Sequence, residues 1–400
     1  MKNVAASAIF MAAACVVPRA NAAEPVTLAT VSPPAAIAHD EPHAKVFSLE
    51  RAARSLDTAA LDWQKAHACT ACHTMFPYLM ARPALNALSP QSAEVRQFFE
   101  EIVAGKREAM PSYACKDVDG AVAVGVAAAM AINDRWTTGK LHPLTRQALD
   151  RMWTIQRSDG GWEWPFRDTP PLKINEHYGV TLAAVGAGMA PEEYVKSPAA
   201  QTGLQGIRHF LRRTTAVSLH QRAMMLWASV YIDDLLSGDD KAEVLSALMG
   251  VQRPDGGWSL ASLVDNTNDP SLKGSDRAIK LRAEKGYGTE FLAYVGRDAV
   301  YKSSLTSDGY ATGFVTFVAR QAGLRASDSR LQRGIAWLKN NQRESGRWFT
   351  PSQAWHTRHL ISNAGTAYAV LALRVCGEVP SPGQSNPRTQ PLPLSSPRLP

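Results

Sequence analysis

A seven-residue motif that occurs three times is the feature that most restricts how this chain can fold. Each copy begins with Gln, ends with Trp and carries Gly two positions before the Trp. The Gln residues are 96 and 90 positions apart. Such a period predicts stacked or ring-like supersecondary units, and each period has room for four helices. The copies are Gln156–Trp162, Gln252–Trp258 and Gln342–Trp348.

The segments between the motifs have helical periodicity. Gly203–Arg213 and Leu331–Asn341 place apolar residues three and four positions apart, which is typical of amphipathic helices. Strand-like alternation is scarce, so we predict an all-α fold in which amphipathic helices surround buried ones. Four segments are apolar almost all round and are predicted to be those buried helices: Val122–Ile132, Val180–Ala187, Ala311–Ala322 and Gly365–Val375.

The residue types in the motif predict a structural role. Gly accepts a positive φ, so the Gly-containing turn stops a helix and reverses the chain. The Gln side chain is long enough to reach a free backbone group at the start of a neighbouring helix. The Trp is expected to stack on that Gln and to close the gap between adjacent outer helices.

The third motif resembles the repeats of the squalene–hopene cyclase and prenyltransferase superfamily. Trp337-Leu338 followed by Gln342, Gly346 and Trp348 matches the pattern of an aromatic residue, Leu, Gln and Gly-x-Trp. The resemblance extends clearly over residues 140–377 and weakly back to about residue 50. It implies an α/α toroid with a central apolar cavity that suits isoprenoids.

Three residues are candidates for acid–base chemistry: Asp308, Glu176 and His177. The resemblance places Asp308 where triterpene cyclases carry an Asp-x-Asp-Asp acid, but only this one Asp is present. Glu176-His177 precedes a buried helix in the same way, and carboxylates are favoured at helix N-termini. The alternative is that these residues only cap their helices, which Asp308 would do well.

The segment Cys69-Thr70-Ala71-Cys72-His73 has the spacing of a covalent haem c site. Its two thiols suit the two vinyl groups, and the adjacent His73 suits the iron. Zinc would require a second pair of ligands, of which only Cys115 is near in sequence. A redox disulfide between Cys69 and Cys72 would be expected in a thioredoxin-like context, which is absent.

The second axial ligand is predicted to be Met110. Gly105-Lys106 followed by Met110-Pro111 resembles the corresponding segment of small class I cytochromes c. A thioether ligand raises the reduction potential. The rival ligands that the sequence leaves open are His67, Met75 and Met80.

The ends of the chain differ in composition from its body. Residues 1–22 have the basic start, short apolar run and small residues of a cleaved secretory signal, and that run is too short for a membrane span. Residues 23–45 are predicted to be a flexible leader, and the proline-rich residues 378–400 a disordered tail. Between them we expect a haem-bearing part over 46–135, formed either by the first toroid hairpins or by a small cytochrome c-like insert, and the toroid over 136–377.

Together these patterns predict a periplasmic or secreted haem c protein. We expect it to bind or transform a polyisoprenoid or other apolar small molecule and to exchange electrons with a periplasmic partner. Nucleic acid is not an expected partner, because the net charge of +7 is scattered along the chain. The alternatives are a non-catalytic electron-transfer or binding protein on the same scaffold, and a haem-free terpene cyclase that uses Asp308.

Overall fold

The computed structural model describes residues 26–70, 73–85, 89–108, 119–164, 171–172, 176–264, 306–352 and 359–379. Within these ranges the chain forms α-helices and short 3₁₀ turns and no β-strand, which confirms the all-α prediction. None of the described helices is both long and apolar enough to cross a bilayer.

The described helices are of two kinds. Six are amphipathic: α1 (Leu49–His67), α3 (Pro90–Val103), α5 (Pro143–Thr154), α7 (Pro198–Arg213), α9 (Gly238–Gly250) and α12 (Ser329–Asn340). Six are almost wholly buried: α2 (Met75–Ala81), α4 (Asp119–Trp136), α6 (Glu176–Met189), α8 (Leu219–Ala228), α11 (Gly309–Gln321) and α13 (Ile361–Val375). A short helix, α10, covers Leu260–Val264.

The buried helices contact one another in chain order. Helix α2 packs on α4, α4 on α6, α6 on α8, α8 on α11, and α11 on α13, and α13 in turn packs on α2. Small residues permit this close packing. A Cβ atom on Gly313 of α11 would lie 2.5 Å from the backbone nitrogen of Ala369 in α13. Each amphipathic helix packs its apolar side on the buried helix that follows or precedes it in the chain.

The Gln of each repeated motif links its own turn to another amphipathic helix. Its amide nitrogen donates to the carbonyl of the motif Gly and to a second carbonyl on α7, α12 or α1. For Gln252 and Gln342 the second acceptor lies at the start of that helix, as predicted. The second acceptors are Gly203 at 3.0 Å from Gln156, Arg330 at 2.8 Å from Gln252, and Ser48 at 2.9 Å from Gln342.

The Trp of each motif makes a contact that the sequence did not predict. Its indole nitrogen donates to the carbonyl ten residues earlier, in the amphipathic helix that precedes the motif. The three distances are 2.8 Å for Trp162, 2.7 Å for Trp258 and 2.7 Å for Trp348. All three rings are fully buried. Each Trp therefore links the motif turn to the amphipathic helix before it, while the Gln links the turn to a different amphipathic helix.

The segment before α1 contains most of the predicted leader. Residues 35–48 contact the third motif, whereas the start of the segment contacts α3 through Val26 and Leu28. The nitrogen of Ala44 donates to the carbonyl of Gln342 at 2.7 Å, and the nitrogen of Glu344 donates to the carbonyl of Pro42 at 2.9 Å. This segment has no apolar periodicity of its own, so its position depends on hydrogen bonds to α1, α3 and the motif turn.

We expect Gly346→Ala to destabilise the protein through a collision with α1. Gly346 has a φ of +91°, and a Cβ atom there would lie 2.2 Å from the carbonyl oxygen of Arg51. The strain of the left-handed backbone and the overlap together should lower the free energy of unfolding by about 3 kcal/mol or more. Urea denaturation followed by circular dichroism measures this change.

Gly323→Ala is the matched control for that substitution. Gly323 has a φ of +97°, and nothing lies within 4 Å of the position of its Cβ atom. The control should therefore lose only about 1–2 kcal/mol from backbone strain. Equal losses in the two variants would mean that the contact with α1 is unimportant.

Candidate functional site

The Cys-x-x-Cys-His segment lies in the turn between α1 and α2, at the junction of an amphipathic and a buried helix. Helix α1 ends at Ala68, which has a left-handed backbone with a φ of +47°. Cys69 and Thr70 follow and are buried, at 3% and 2% exposure. Cys72 lies outside the described residues. The buried position of Cys69 gives its thiol an apolar environment next to the body of the protein.

The imidazole of His73 is oriented by a pair of side-chain hydrogen bonds. Its Nδ1 lies 2.7 Å from the hydroxyl oxygen of Thr74, and that oxygen also accepts from the amide of Asn363 in α13 at 2.9 Å. A hydroxyl has two acceptor lone pairs, so Thr74 can accept from both groups when Nδ1 carries the proton. In that tautomer Nε2 is the nitrogen that can bind a metal.

Trp63 and Gln64 supply polar atoms beside this turn. The ring of Trp63 stacks on His67 at 4.0 Å and meets His73 edge-on at 4.8 Å, measured between centroids. The indole nitrogen of Trp63 and the amide oxygen of Gln64 are buried, with no hydrogen-bond partner among the described residues. An unpaired buried donor is costly. The Trp63 nitrogen therefore fits a group that brings a carboxylate, as the haem propionates do.

The rival axial ligands have different positions. Met75 and Met80 are buried within α2, whereas His67 is exposed at the end of α1. Met110 lies outside the described residues. Among the described residues no group of three or more His, Cys, Asp or Glu side chains could hold a metal ion.

Asp308 is the N-cap of α11 and is buried at 2% exposure. One carboxylate oxygen accepts from the backbone nitrogen of Ala311 at 3.0 Å, and the other accepts from that of Leu260 at 2.5 Å. Burial raises the pKa of Asp308 to about 7, while these hydrogen bonds act in the opposite direction. The structure therefore places Asp308 in the capping role, with both oxygens directed at backbone donors.

Glu176 and His177 are adjacent in sequence but differ in environment. The carboxylate of Glu176 forms an ion pair with Arg157, at 2.5 Å from Nη2, and Arg157 belongs to the first motif. His177 is fully buried, and burial lowers its pKa to about 4. Glu176 thus joins the motif turn to α6. The imidazole of His177 lies in the core, close enough to His220 to lower the pKa of that residue.

A buried set of polar aromatic residues was not among the predicted site residues. The Nε2 of His220 in α8 lies 3.0 Å from the hydroxyl of Tyr310 in α11. Tyr368 in α13 packs edge-on against Tyr310, with ring centroids 5.2 Å apart. One signal in the sequence could have found them. Tyr310 and Tyr368 are phenols in helices that are otherwise apolar, and a buried phenol usually needs a polar partner.

The surface also has a cavity of about 680 Å³, between α3 and the connection of α4 to α5. Its polar lining includes Arg96, Glu100 and Asp134. Arg96 is already paired, with Asp134 at 2.8 Å and with Glu100 at 2.9 Å. None of the three predicted acid–base residues lines this cavity.

Comparison with models of known protein families gives no match, and comparison with curated proteins gives none either. The family resemblance of the repeated motif therefore stays a prediction. The functional assignment depends on the geometry of the turn and of the buried helices.

We expect Asp308 to make the protein less stable as the pH rises from about 4 to 7. The pKa of Asp308 is raised from 3.8 to about 7 in the folded state, so in this range the folded chain holds a proton that the unfolded chain has lost. The stabilisation that this bound proton gives the folded state is complete below pH 4 and is lost by about pH 7. The free energy of unfolding should fall by up to about 1.4 kcal/mol per pH unit in this range. The difference in unfolding free energy between wild type and Asp308→Asn, measured in urea at several pH values, should show this slope.

Asp328→Asn provides the control, because Asp328 caps α12 in the same way. Hydrogen bonds from Arg330 lower the pKa of Asp328 to about 2. The ionised carboxylate therefore gives its full stabilisation once the pH is above 3.8, the ordinary pKa of an aspartate. The corresponding difference for this variant should be constant between pH 5 and 7. A flat profile for Asp308→Asn as well would show that Asp308 is ionised throughout.

Proposed function

We propose that this chain is an exported haem c protein built on an α/α toroid, and that it acts on or binds an apolar small molecule of the isoprenoid class. The toroid is supported by the order of contacts among the buried helices, which returns from α13 to α2. It is supported further by the motif that joins α12 to α1. The signal-like residues 1–22 support attachment of haem outside the cytoplasm.

The observation that carries the haem proposal is the hydrogen-bond chain from His73 through Thr74 to Asn363. Metal-binding histidines usually donate their second ring nitrogen to a fixed acceptor, which sets the tautomer and orients the ring. Here the acceptor is held by a neighbouring buried helix. Cys69 and Cys72 would attach the group, His73 would ligate its iron, and Trp63 would donate to a propionate. A bound haem supplies reversible one-electron transfer.

The apolar substrate class is supported by the aromatic residues of the buried helices. Phe314, Phe317, Tyr368 and Trp227 pack against one another, with ring centroids between 5.1 and 6.4 Å apart. Faces of such rings favour apolar and cationic groups. In this proposal these buried rings give the centre of the toroid its apolar character.

Two other functions use parts of the same arrangement. A purely electron-transferring protein would need the haem turn and would use the aromatic core only as a scaffold. A terpene cyclase would need Asp308 as the acid, and the pKa of about 7 favours a protonated carboxyl near neutral pH. The two backbone hydrogen bonds to its oxygens favour the capping role over that second function.

The haem proposal predicts a covalent adduct. Expression with its own N-terminus in a host that matures c-type cytochromes should give a periplasmic protein whose Soret band survives acid–acetone extraction. Its intact mass should exceed that of the chain without the signal by about 616 Da, the mass of one haem. Cys69→Ala should weaken covalent attachment, and Cys376→Ala, which changes a half-buried thiol elsewhere, should leave it intact. A colourless product of unmodified mass would contradict the proposal.

The hydroxyl of Thr74 is proposed to tune the iron through His73. Thr74→Val removes the acceptor for Nδ1, so His73 becomes a weaker donor to iron and the reduction potential should rise. A tenfold change in relative affinity corresponds to about 59 mV for one electron, which sets the expected scale. Thr74→Ser keeps a hydroxyl and should restore the wild-type potential in a spectroelectrochemical titration. Equal potentials in all three proteins would refute this role.

A further inference from the structure

A polar contact between two buried helices of the core, α8 and α11, joins an imidazole to a phenol. The Nε2 of His220 lies 3.0 Å from the hydroxyl of Tyr310, and their rings are tilted by 32°. Both side chains are buried, at 1% and 0% exposure. Burial lowers the pKa of His220 to about 3, so its imidazole is neutral and has one nitrogen able to accept a proton. The phenol of Tyr310 is therefore held beside a proton acceptor that water does not reach.

The neighbours of this pair are aromatic. Phe314 stacks on His220 with ring centroids 4.7 Å apart, and Tyr368 meets Tyr310 edge-on. The hydroxyl of Tyr368 is close enough to those of Tyr178 and Tyr310 to affect its pKa. These rings shield Tyr310 from solvent and provide polarisable contacts on several sides. An oxidised Tyr310 would thus be protected from quenching reactions with water.

Helix α13 connects this pair to the proposed haem turn. Asn363, in the first turn of α13, donates to Thr74, which in turn contacts His73. Tyr368 follows Asn363 by five residues on the same helix, a rise of about 7.5 Å. A short path made of one helix and three side-chain contacts therefore runs from His73 to Tyr310.

We propose that Tyr310 is a redox-active tyrosine whose proton acceptor is His220. On oxidation the O–H bond of Tyr310 breaks, and the proton forms a bond to Nε2 of His220. The electron passes to a one-electron oxidant, which is reduced by one equivalent. The product is a neutral phenoxyl radical hydrogen-bonded to an imidazolium. This inference rests on the proposed haem site, because a haem oxidised by a peroxide is the class of oxidant that would take the electron.

The hydrogen-bond partner distinguishes Tyr310 from Tyr231, whereas the buried phenols of Tyr78 and Tyr194 donate to the carboxylates of Asp57 and Asp150 at 2.7 Å. Oxidised phenols are far stronger acids than neutral ones, so even a weakly basic imidazole accepts their proton, provided that it is within hydrogen-bond distance. Tyr231 is the matched comparison, because its hydroxyl donates at 2.9 Å to the amide oxygen of Gln321. An amide is too weak a base to keep that proton. Tyr310 should therefore be oxidised in preference to Tyr231.

The test uses the purified full chain and an oxidant that does not depend on haem. Photogenerated tris(bipyridine)ruthenium(III) is applied, and the sample is frozen and examined by electron paramagnetic resonance. A tyrosyl radical should form in wild type and in Tyr231→Phe and should be lost in Tyr310→Phe and in His220→Phe. An unchanged radical in Tyr310→Phe would overturn the proposal.

A second measurement keeps the proposal testable if those variants do not fold. Wild-type protein with ¹⁵N-labelled histidine should show a nitrogen hyperfine coupling to the radical. Absence of that coupling would place the radical on a tyrosine without a histidine partner and would overturn the proposal.

A further experiment, on haem-loaded protein, tests the redox-active tyrosine separately from the proposed haem function. Hydrogen peroxide is added to the haem-loaded protein, whose Soret band reports the cofactor. The expected result is the same radical, lost in Tyr310→Phe while the Soret band stays unchanged. A missing Soret band would refute the haem proposal, and the ruthenium experiment would still decide the role of Tyr310. A bound haem with no radical from either oxidant would refute the redox-active tyrosine alone.

Discussion

The pair of hydrogen bonds between Gln342 and Ser48 is the contact on which the arrangement of this chain depends most. The amide nitrogen of Gln342 donates to the carbonyl of Ser48 at 2.9 Å, and the nitrogen of Ser48 donates to the amide oxygen of Gln342 at 2.8 Å. The side chain of Ser48 also caps α1 by accepting from Arg51. One glutamine thus joins the last amphipathic helix described to the start of the first. The other two motifs use the same chemistry between helices that are nearer in sequence.

That contact has consequences for the candidate haem site. It fixes the N-terminal end of α1, and Cys69 follows the C-terminal end of the same helix. Helix α13 supports the turn from the other side, through the hydrogen bond of Asn363 to Thr74. The proposed iron ligand His73 is therefore held between the beginning and the end of the folded chain. In the proposed toroid the candidate haem site lies where the first and last described helices meet, and loss of that junction would disturb this site as well as the fold.

Much of the fold could be predicted from the sequence, and there are physical reasons why the other features could not. The helices and the reach of Gln252 and Gln342 follow from local rules: apolar periodicity, Gly at positive φ, and the length of an amide side chain. The contacts of Pro42 and Ala44 could not be predicted, because they involve backbone groups of a motif about 300 positions away. The pairing of His220 with Tyr310 was missed for the same reason, since 90 residues separate them. The sequence offers helix capping as the alternative role of Asp308, but it does not show the hydrogen bond from the backbone nitrogen of Leu260.

The measurement that tests the central claim most directly is hydrogen exchange, by mass spectrometry, in the segment around Ser48. The account predicts that amides of residues 44–52 are protected in the wild-type protein as well as amides of the buried helices. Gln342→Ala should abolish that protection and also weaken it in α1, while helices α4 and α6 keep theirs. Unchanged protection around Ser48 in Gln342→Ala would contradict the claim that this glutamine holds the two ends of the fold together.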